Sequence, residues 1–301
     1  MNSTTKAHLA LLGTNLFFAV NYNAIKFFTR NEIAGPFGIN FIRVAVTMFL
    51  FWILFLFKPV KVRMEWKDLL KVAICAFAAI ALNQMLFIKG LSYTSPIHAA
   101  LLTLISPILI TVFAAFILKE RITYLKITGL SVACVGAIFL LTGKESHTAD
   151  NYLLGDLLII GSSLAYSLYF ILIKPVMEKY SPIMVTRILF TFGMLMIWPF
   201  CMEEVKAIDF TSFGLKEWLL MLLIAIPGTF LAYVFNVYGI KILNASKAGT
   251  YIYTQPLFAG MIAVFFLHES ITLNKLVATV LIFAGLYLSQ KRKQKNKFSN
   301  I

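Results

Sequence analysis

Long apolar stretches alternate with short polar ones along the whole chain. Ten windows each hold about 20 mainly apolar residues, which is the length that an α-helix needs to cross a lipid bilayer. They cover roughly residues 8–28, 37–57, 69–91, 97–118, 124–142, 153–177, 183–202, 218–243, 247–267 and 273–290, here called spans 1 to 10. The pattern therefore predicts an all-α membrane protein with ten transmembrane helices.

The ten predicted spans form two groups of five, which a polar stretch at residues 143–152 separates. Connections within each group are short, so successive helices are expected to be antiparallel neighbours. We predict a first five-helix repeat over residues 1–145 and a second over residues 152–290. Residues 291–301 carry five basic side chains and are expected to form a cytoplasmic tail.

Two apolar segments half a chain apart carry the same pattern of proline and glutamate. Pro107 is followed thirteen positions later by Glu120, and Pro256 is followed at the same distance by Glu269. The two prolines are 149 positions apart, as are the two glutamates. The first spans of the two halves align best at a separation of 148 residues. Self-similarity at a fixed distance indicates an internal duplication.

Basic residues in the short connections predict how the chain crosses the membrane, because basic loops stay on the cytoplasmic side. The connections after spans 2, 4, 6 and 8 are basic, whereas the opposite connections mix basic with acidic residues. Both termini are therefore predicted to be cytoplasmic. Five spans per half would place the second half inverted, and Lys119 and Arg121 are indeed replaced by His268 and Ser270 on the predicted outer side. Inverted repeats are typical of secondary transporters.

Composition agrees with a membrane protein. Of the 301 residues, 60% are hydrophobic and 13% are charged, and the mean hydropathy is +0.84. Soluble domains are about 45–50% apolar and about 25% charged. The net charge of +14 also fits nucleic-acid binding, but the charges lie between spans and in the tail, where membrane topology requires them. The three cysteines lie far apart in apolar runs and no metal-binding spacing is present, so no cofactor is expected.

These features together resemble one family of transporters. The paired Pro-x12-Glu-x-Ile-Thr patterns, the following glycines Gly136 and Gly285, and the arginines Arg43 and Arg187 early in spans 2 and 7 are similar to the EamA branch of the drug/metabolite transporter superfamily. The resemblance covers essentially the whole chain. It implies a substrate exporter or facilitator of the cytoplasmic membrane, which in bacteria is the inner membrane, and it does not name a substrate.

Polar side chains inside the spans indicate where a substrate would bind, because such groups are costly in lipid and usually face protein or water. They concentrate in spans 1, 3, 6, 8 and 9. The predicted substrate-binding residues are Asn15, Tyr22, Asn83, Gln84, Tyr166, Tyr169, Tyr233, Asn236, Tyr251 and Gln255. We expect a central cavity with aromatic walls and uncharged hydrogen-bonding groups. The alternative is that these groups only bond neighbouring helices to one another.

Three further residues are candidates for gating or coupling. Pro107 and Pro256 remove a backbone hydrogen bond within their spans and would act either as hinges or as fixed bends. His98 is a histidine near the outer end of span 4 that would titrate near neutral pH, although an interfacial role is the alternative. Glu120 and Glu269 lie at helix ends and are interpreted as structural.

Two groups of residues remain open to more than one interpretation. Basic residues near span ends reach the interface by default, but any that faces inward would be able to bind a carboxylate or phosphate. They are Lys26, Arg43, Lys89, Lys174, Arg187 and Lys241. Small residues at Gly129, Ala133 and Ala137 of span 5 allow another helix to approach closely, either within the chain or in a dimer.

The function that follows from these patterns is alternating-access transport, and specifically export, of small metabolites such as amino acids or related compounds. A flippase of a lipid-linked substrate is the alternative. An enzyme is not expected, because no catalytic signature lies in the spans, and a channel is disfavoured by the inverted repeat. The expected partners are a small-molecule substrate and membrane lipid, without nucleic acid, and the protein is expected to be a monomer or homodimer.

Overall fold

The structure is a computed structural model, and every regular element that it describes is helical. It describes residues 2–57, 63–94, 99–100, 102–120, 122–141, 152–243, 245–267 and 273–290. The helices are numbered α1 to α10 in chain order.

The first half of the chain forms helices α1 to α5. Helix α3 contains one π-helical segment, Phe77–Leu82, that separates its two α-helical parts Trp66–Ala76 and Asn83–Tyr93. The bounds are α1 Ser3–Arg30, α2 Pro36–Phe57, α3 Trp66–Tyr93, α4 Ile105–Ile117 and α5 Tyr124–Leu141.

The second half forms helices α6 to α10. Helix α8 contains a π-helical segment, Ile226–Leu231, and α9 follows a short helix, Ala245–Gly249, and a 3₁₀ turn, Thr250–Thr254. The bounds are α6 Tyr152–Lys179, α7 Pro182–Lys206, α8 Leu215–Ile242, α9 Gln255–Leu267 and α10 Leu273–Gln290.

In the described part of the chain, five helices are long and apolar enough to cross a membrane. They are α2, α3, α7, α8 and the segment Leu153–Lys179 of α6. Shorter apolar stretches lie within α4 (Ile105–Ile117), α5 (Tyr124–Gly136) and α10 (Val280–Ser289). The chain is therefore an all-helical, multi-pass membrane protein, whereas the count of ten spans stays a prediction.

The duplication is visible in the helix boundaries. Helices α3 and α8 begin and end 149 positions apart, and their π segments Phe77–Leu82 and Ile226–Leu231 are also 149 positions apart. A π segment is an irregularity that occurs in few helices. Its presence at the same place in both halves shows that the two halves share backbone detail as well as sequence pattern.

The two halves interlock through reciprocal contacts. Helix α1 packs on α8, where a Cβ atom added to Gly239 would lie 2.5 Å from Leu11 Cγ. Helix α6 packs on α3, where a Cβ atom added to Gly90 would lie 2.7 Å from Ile159 Cγ1. Both glycines are required because a side chain would overlap the facing helix. Each half therefore places its first helix against the third helix of the other half.

Helices α5 and α10 form a second close contact between the halves. A Cβ atom at Gly129 would lie 2.4 Å from Ser289 N, and one at Gly285 would lie 2.4 Å from Ala133 N. The backbones themselves are therefore in contact. Gly129 and Ala133 of span 5 pack within the chain, so this structure gives them a role that needs no dimer.

Polar side chains fix the ends of two neighbouring helices. Ser181 precedes α7, and its hydroxyl accepts a hydrogen bond from Met184 N at 3.3 Å. Glu204, near the end of α7, accepts hydrogen bonds from the first backbone N–H groups of α2, at Phe37 N (2.6 Å) and Gly38 N (2.9 Å). These caps satisfy donors that a helix leaves free at its start, and the Glu204 bonds also hold α2 against α7.

The continuous helices expected over spans 4 and 9 are interrupted just before their prolines. Pro107 is the third residue of α4 and follows a turn at 103–104, and Pro256 is the second residue of α9 and follows the 3₁₀ turn. Proline lacks an N–H and disfavours α conformation in the preceding residue, so it is accommodated in the first turn of a new helix.

Candidate functional site

A cavity lies between the two halves of the chain. Its lining comes from α1, α2, α3 and α4 of the first half and from α6, α8 and the start of α9 of the second half. The lining residues predicted from sequence are Tyr22, Asn83, Gln84, Tyr166, Tyr233 and Gln255. The remaining lining residues are Phe18, Asn21, Arg43, Phe87, Thr103, Ser106, Ser162, Ser163, Gly228, Thr229 and Ile252.

The centre of the cavity wall is a contact between equivalent positions of the two halves. Gln84 Nε2 donates a hydrogen bond to Tyr233 Oη at 3.0 Å, and these residues are 149 positions apart. In a duplicated fold, equivalent residues touch each other only near the pseudo-twofold axis. The cavity therefore lies on this axis, where both halves contribute to it in a similar way.

One end of the wall is a hydrogen-bonded chain between α1 and α9. Gln255 Nε2 donates to Asn15 Oδ1 at 2.9 Å, and Tyr22 Oη donates to Gln255 Oε1 at 3.0 Å. Asn15 lies behind Gln255 and does not itself line the cavity. A buried network in which each member has partners holds its side chains in fixed positions. Asn15 thus supports a cavity residue through this network.

The opposite wall is built from tyrosines of α6 and α8. Asn236 Nδ2 donates to Tyr166 Oη at 2.6 Å, so Asn236 holds Tyr166 from behind without lining the cavity. Tyr169 is fully buried and contacts the rings of Tyr166 and Tyr233. Its hydroxyl has no hydrogen-bond partner in the described part of the chain and does not line the cavity.

Arg43 is the one charged side chain among the described residues that line the cavity. It lies in α2, is only 6% exposed, and its Nε donates to Asn40 Oδ1 at 3.0 Å. Arg187 of α7 has a different environment, because its guanidinium stacks on the rings of Trp52 (4.6 Å) and Phe55 (3.5 Å). Both arginines lie early in their spans, so position along the helix does not separate these roles.

Asn21 is another lining residue that sequence reasoning missed. Its Nδ2 donates to Gly228 O at 3.1 Å, within the π segment of α8. A Cβ atom at Gly228 would lie 2.7 Å from Asn21 Cγ, so the glycine makes room for the amide. The polar run from Asn21 to Asn23 was a visible signal for this residue.

The cavity is narrow. The centre of a water molecule can reach about 70 Å³ of it, which corresponds to roughly five waters. Its wall combines amide, hydroxyl and aromatic groups with one guanidinium. Such a wall can orient a small polar molecule through hydrogen bonds, and among the described residues no three His, Cys, Asp or Glu side chains cluster to hold a metal ion.

Tyr251 lies apart from this cavity. Its hydroxyl forms a 2.5 Å hydrogen bond with Nδ1 of His8, near the start of α1. His98 and Glu269 lie outside the described residues. Glu120 accepts a hydrogen bond from Ala245 N at 3.1 Å, which links the end of α4 to the short helix before α9.

An ionic cluster joins the start of α3 to the end of α6. Asp68 is buried, and its Oδ2 accepts hydrogen bonds from Lys179 Nζ (3.0 Å) and Tyr180 Oη (3.1 Å). Lys71 Nζ binds Oδ1 of the same carboxylate at 3.1 Å. The equivalent position of α8, Glu217, instead accepts from the backbone of its own helix start. The equivalent acidic residues at the starts of α3 and α8 therefore have different partners.

Comparison with known proteins identifies the fold. The sequence profile of the EamA-like transporter family matches residues 5–142 and 153–290. The chain belongs to the EamA-like transporter family. Both matches fall on the halves that the reciprocal contacts relate, so this EamA-like protein contains two copies of the family's repeat.

Relatives of this EamA-like chain are themselves named as transporters. One from Archaeoglobus fulgidus, described as an uncharacterized transporter, is 25% identical over 290 residues, covering 96% of this chain and all of its own. The uncharacterized transporter YyaM of Bacillus subtilis is 24% identical and covers 93% of this chain and 92% of its own. Another from Clostridium kluyveri is 24% identical over 300 residues.

A solved crystal structure shares the fold of this EamA-like protein. The alignment covers 93% of this chain and 96% of the other, with a TM-score of 0.75 and 17% sequence identity. At this level of identity the likeness concerns the fold alone. The relatives and the family agree that the chain is a membrane transporter, and they leave the substrate open.

Proposed function

We propose that this protein exports small metabolites, amino acids or related compounds, across the cytoplasmic membrane by alternating access. The observation that supports the proposal is the polar cavity on the pseudo-twofold axis, to which both repeats contribute. A transporter needs one site that each side of the membrane can reach in turn, and a site between two repeats meets this need when they rock against each other.

The proposed topology is ten spans with both termini in the cytoplasm and the second repeat inverted. Irregular backbone next to the cavity supports a moving interface, since the π segments of α3 and α8 lie directly beside its lining residues. The breaks before Pro107 and Pro256 are proposed to serve as hinges in the same motion. Inverted halves would allow the inward-open and outward-open states to be built from the same two conformations.

Counterflow in proteoliposomes tests this function. Purified protein is reconstituted into liposomes that contain one unlabelled compound, and uptake of the labelled form of that compound is measured. The compounds tested are amino acids, amines, sugars and nucleobases. Saturable uptake that depends on the internal compound is expected for at least one of them. Folded protein that exchanges none of these compounds would contradict the metabolite proposal.

A matched pair of tyrosine variants tests the position of the site. Tyr166→Phe removes a cavity hydroxyl that Asn236 bonds, and we expect exchange of the identified compound to fall about tenfold, the effect of one hydrogen bond. Tyr169→Phe removes a hydroxyl that has no partner among the described residues and does not line this cavity, so exchange should be unchanged. Equal effects of the two variants would place the site elsewhere.

The flippase alternative predicts a connection from the cavity to lipid. An apolar groove of about 680 Å³ does lie beside α3, lined by residues such as Phe77, Leu82 and Leu86 and bordered by Lys89. The cavity is lined by Asn83, Gln84 and Phe87 of the same helix, and no described residue lines both spaces. Scrambling that depends on the lipid headgroup, without counterflow of metabolites, would favour the flippase over the metabolite carrier.

A further inference from the structure

Arg43 places an unneutralised charge at the cavity wall. Its single hydrogen bond within the described part of the chain runs from Nε to Asn40, so the two terminal nitrogens of the guanidinium have no acceptor there. No carboxylate in that part of the chain lies within ion-pair distance of it. The side chain is nonetheless 6% exposed, which makes it a buried cation without a counter-ion.

Two other buried or half-buried cations in the described part of the chain have polar partners. Lys26 Nζ donates to the backbone oxygens of Leu91 and Ser92, at 3.2 and 3.1 Å. Lys126 lies 3.6 Å from the Glu120 carboxylate. A buried charge without compensation is costly, so one that lines a cavity indicates that a mobile anion completes the site. Arg43 is the cation among the described cavity-lining residues, and no anion from the described part of the chain pairs with it.

Two amide oxygens of the same cavity also lack partners within the described part of the chain. Asn21 Nδ2 donates to Gly228 O, and Gln84 Nε2 donates to Tyr233 Oη. Asn21 Oδ1 and Gln84 Oε1 are buried acceptors that have no donor among the described residues. Buried acceptors normally find a donor. Both residues line the cavity with Arg43, so the cavity lacks one anion and one or more hydrogen-bond donors.

We propose that Arg43 binds the carboxylate of the transported compound and that Asn21 and Gln84 accept hydrogen bonds from a donor group on it. A small zwitterionic amino acid has both groups, with its ammonium as the donor. Guanidinium and carboxylate match each other in a two-bonded geometry. One arginine balances one charge, so a monocarboxylate fits the cavity better than a phosphate monoester with nearly two charges.

This inference rests on the proposed transport function and narrows it. The rings of Tyr22 and Phe87, whose centroids are 4.7 Å apart, also line the cavity, and aromatic rings attract an ammonium group. The free space is small, so the cavity favours compact amino acids in this conformation. Uncharged sugars, and amines without a carboxylate, would leave Arg43 without a counter-ion.

A ligand-stabilisation screen tests the inference. The twenty protein amino acids and their carboxamides are each added at 10 mM to purified protein, and thermal unfolding is measured. We expect at least one amino acid to raise Tm, while its carboxamide, which keeps the ammonium but lacks the carboxylate, does not. In Arg43→Gln the apparent affinity should fall about 30-fold or more, because a hydrogen-bonded charge pair is lost.

Two variants separate binding from folding. Arg187→Gln removes the arginine that stacks on Trp52 and Phe55 away from the cavity, and it should bind the amino acid like the wild type. Arg43→Lys keeps the charge without the planar fork, so it should bind more weakly than wild type and more tightly than Arg43→Gln. Stabilisation by carboxamides equal to that by acids, unchanged binding in folded Arg43→Gln, or no stabilisation by any acid would overturn the inference.

The transport assay distinguishes this inference from the function on which it rests. Counterflow of an amine or sugar alone would keep the transporter proposal and overturn the role of Arg43. Binding of an amino acid that depends on Arg43, without counterflow of it, would keep the anion site and overturn transport.

Discussion

Replacement of Gly285 by alanine tests the backbone contact between α5 and α10. The new Cβ atom would lie 2.4 Å from Ala133 N, 2.6 Å from Gly129 O and 2.8 Å from Ala133 Cα, all of which are backbone atoms. Ordinary contacts begin near 3.4 Å, so the two helices would have to separate by about 1 Å. No side-chain rotation relieves this overlap, because no side-chain atom is among the three.

The expected cost follows from this geometry. Overfilled cores lose about 1–3 kcal/mol, and an obstruction made of backbone belongs at the upper end of that range. For a chain of this size, about 3 kcal/mol corresponds to a decrease in Tm of about 5 °C or more. Thermal unfolding in detergent, followed by fluorescence, measures the difference directly.

Gly161→Ala is the matched control. A Cβ atom there meets only Leu86 Cδ1, at 3.5 Å, which is an ordinary contact. Alanine also favours the helix over glycine by about 1 kcal/mol, so this variant should unfold at or slightly above the wild-type temperature. If Gly285→Ala unfolded at the same temperature as Gly161→Ala, α5 and α10 would not approach as closely as described.

Three further changes probe the site and its surroundings. Gln255→Met removes the amide that joins α1 to α9 and leaves Tyr22 Oη without its acceptor, so both Tm and the counterflow rate should fall. Unchanged exchange would show that this network does not position the site. Asp68→Asn should lower Tm by a few degrees at low salt and by less in about 1 M NaCl, because Lys179 is half exposed and salt screens its ion pair with Asp68. A decrease in Tm that does not depend on salt would mean that the ion pairs do not cause it. Glu120→Gln should keep exchange, because Glu120 contacts the chain outside the cavity, and loss of transport with intact folding would contradict its structural role.

The internal repeat and many of the cavity-lining residues could be predicted from the sequence. The 149-residue separation between Pro107 and Pro256 also separates the boundaries of α3 and α8 and their π segments. Polar residues in apolar spans were a strong signal because lipid makes them costly, and six of the ten predicted side chains lie around one cavity. Whether these six bind a substrate stays a prediction.

The sequence did not show how each helix is rotated about its own axis. Arg43 and Arg187 have similar positions along their spans, but one faces the cavity and the other stacks on aromatic rings of α2. Which arginine faces the cavity depends on how α2 and α7 are rotated about their axes when they pack. The helical period of 3.6 residues relates side chains on one helix to each other but does not say which face meets the cavity. Tyr166 and Tyr169 of α6 show the same effect: the ring of Tyr169 fills the core, whereas Tyr166 lines the cavity.

The exchange of first helices between the halves has a consequence for biosynthesis. Thr14 and Asn21 of α1 bond α8 residues that lie 218 and 207 positions later in the chain. At about 5–20 residues per second, a ribosome needs roughly 10–40 s to synthesise that interval. During this time Thr14 and Asn21 lack their α8 partners, so this part of α1 must wait in the membrane, in a translocon or beside a chaperone. Helix α1 therefore reaches these native contacts only after α8 has been synthesised.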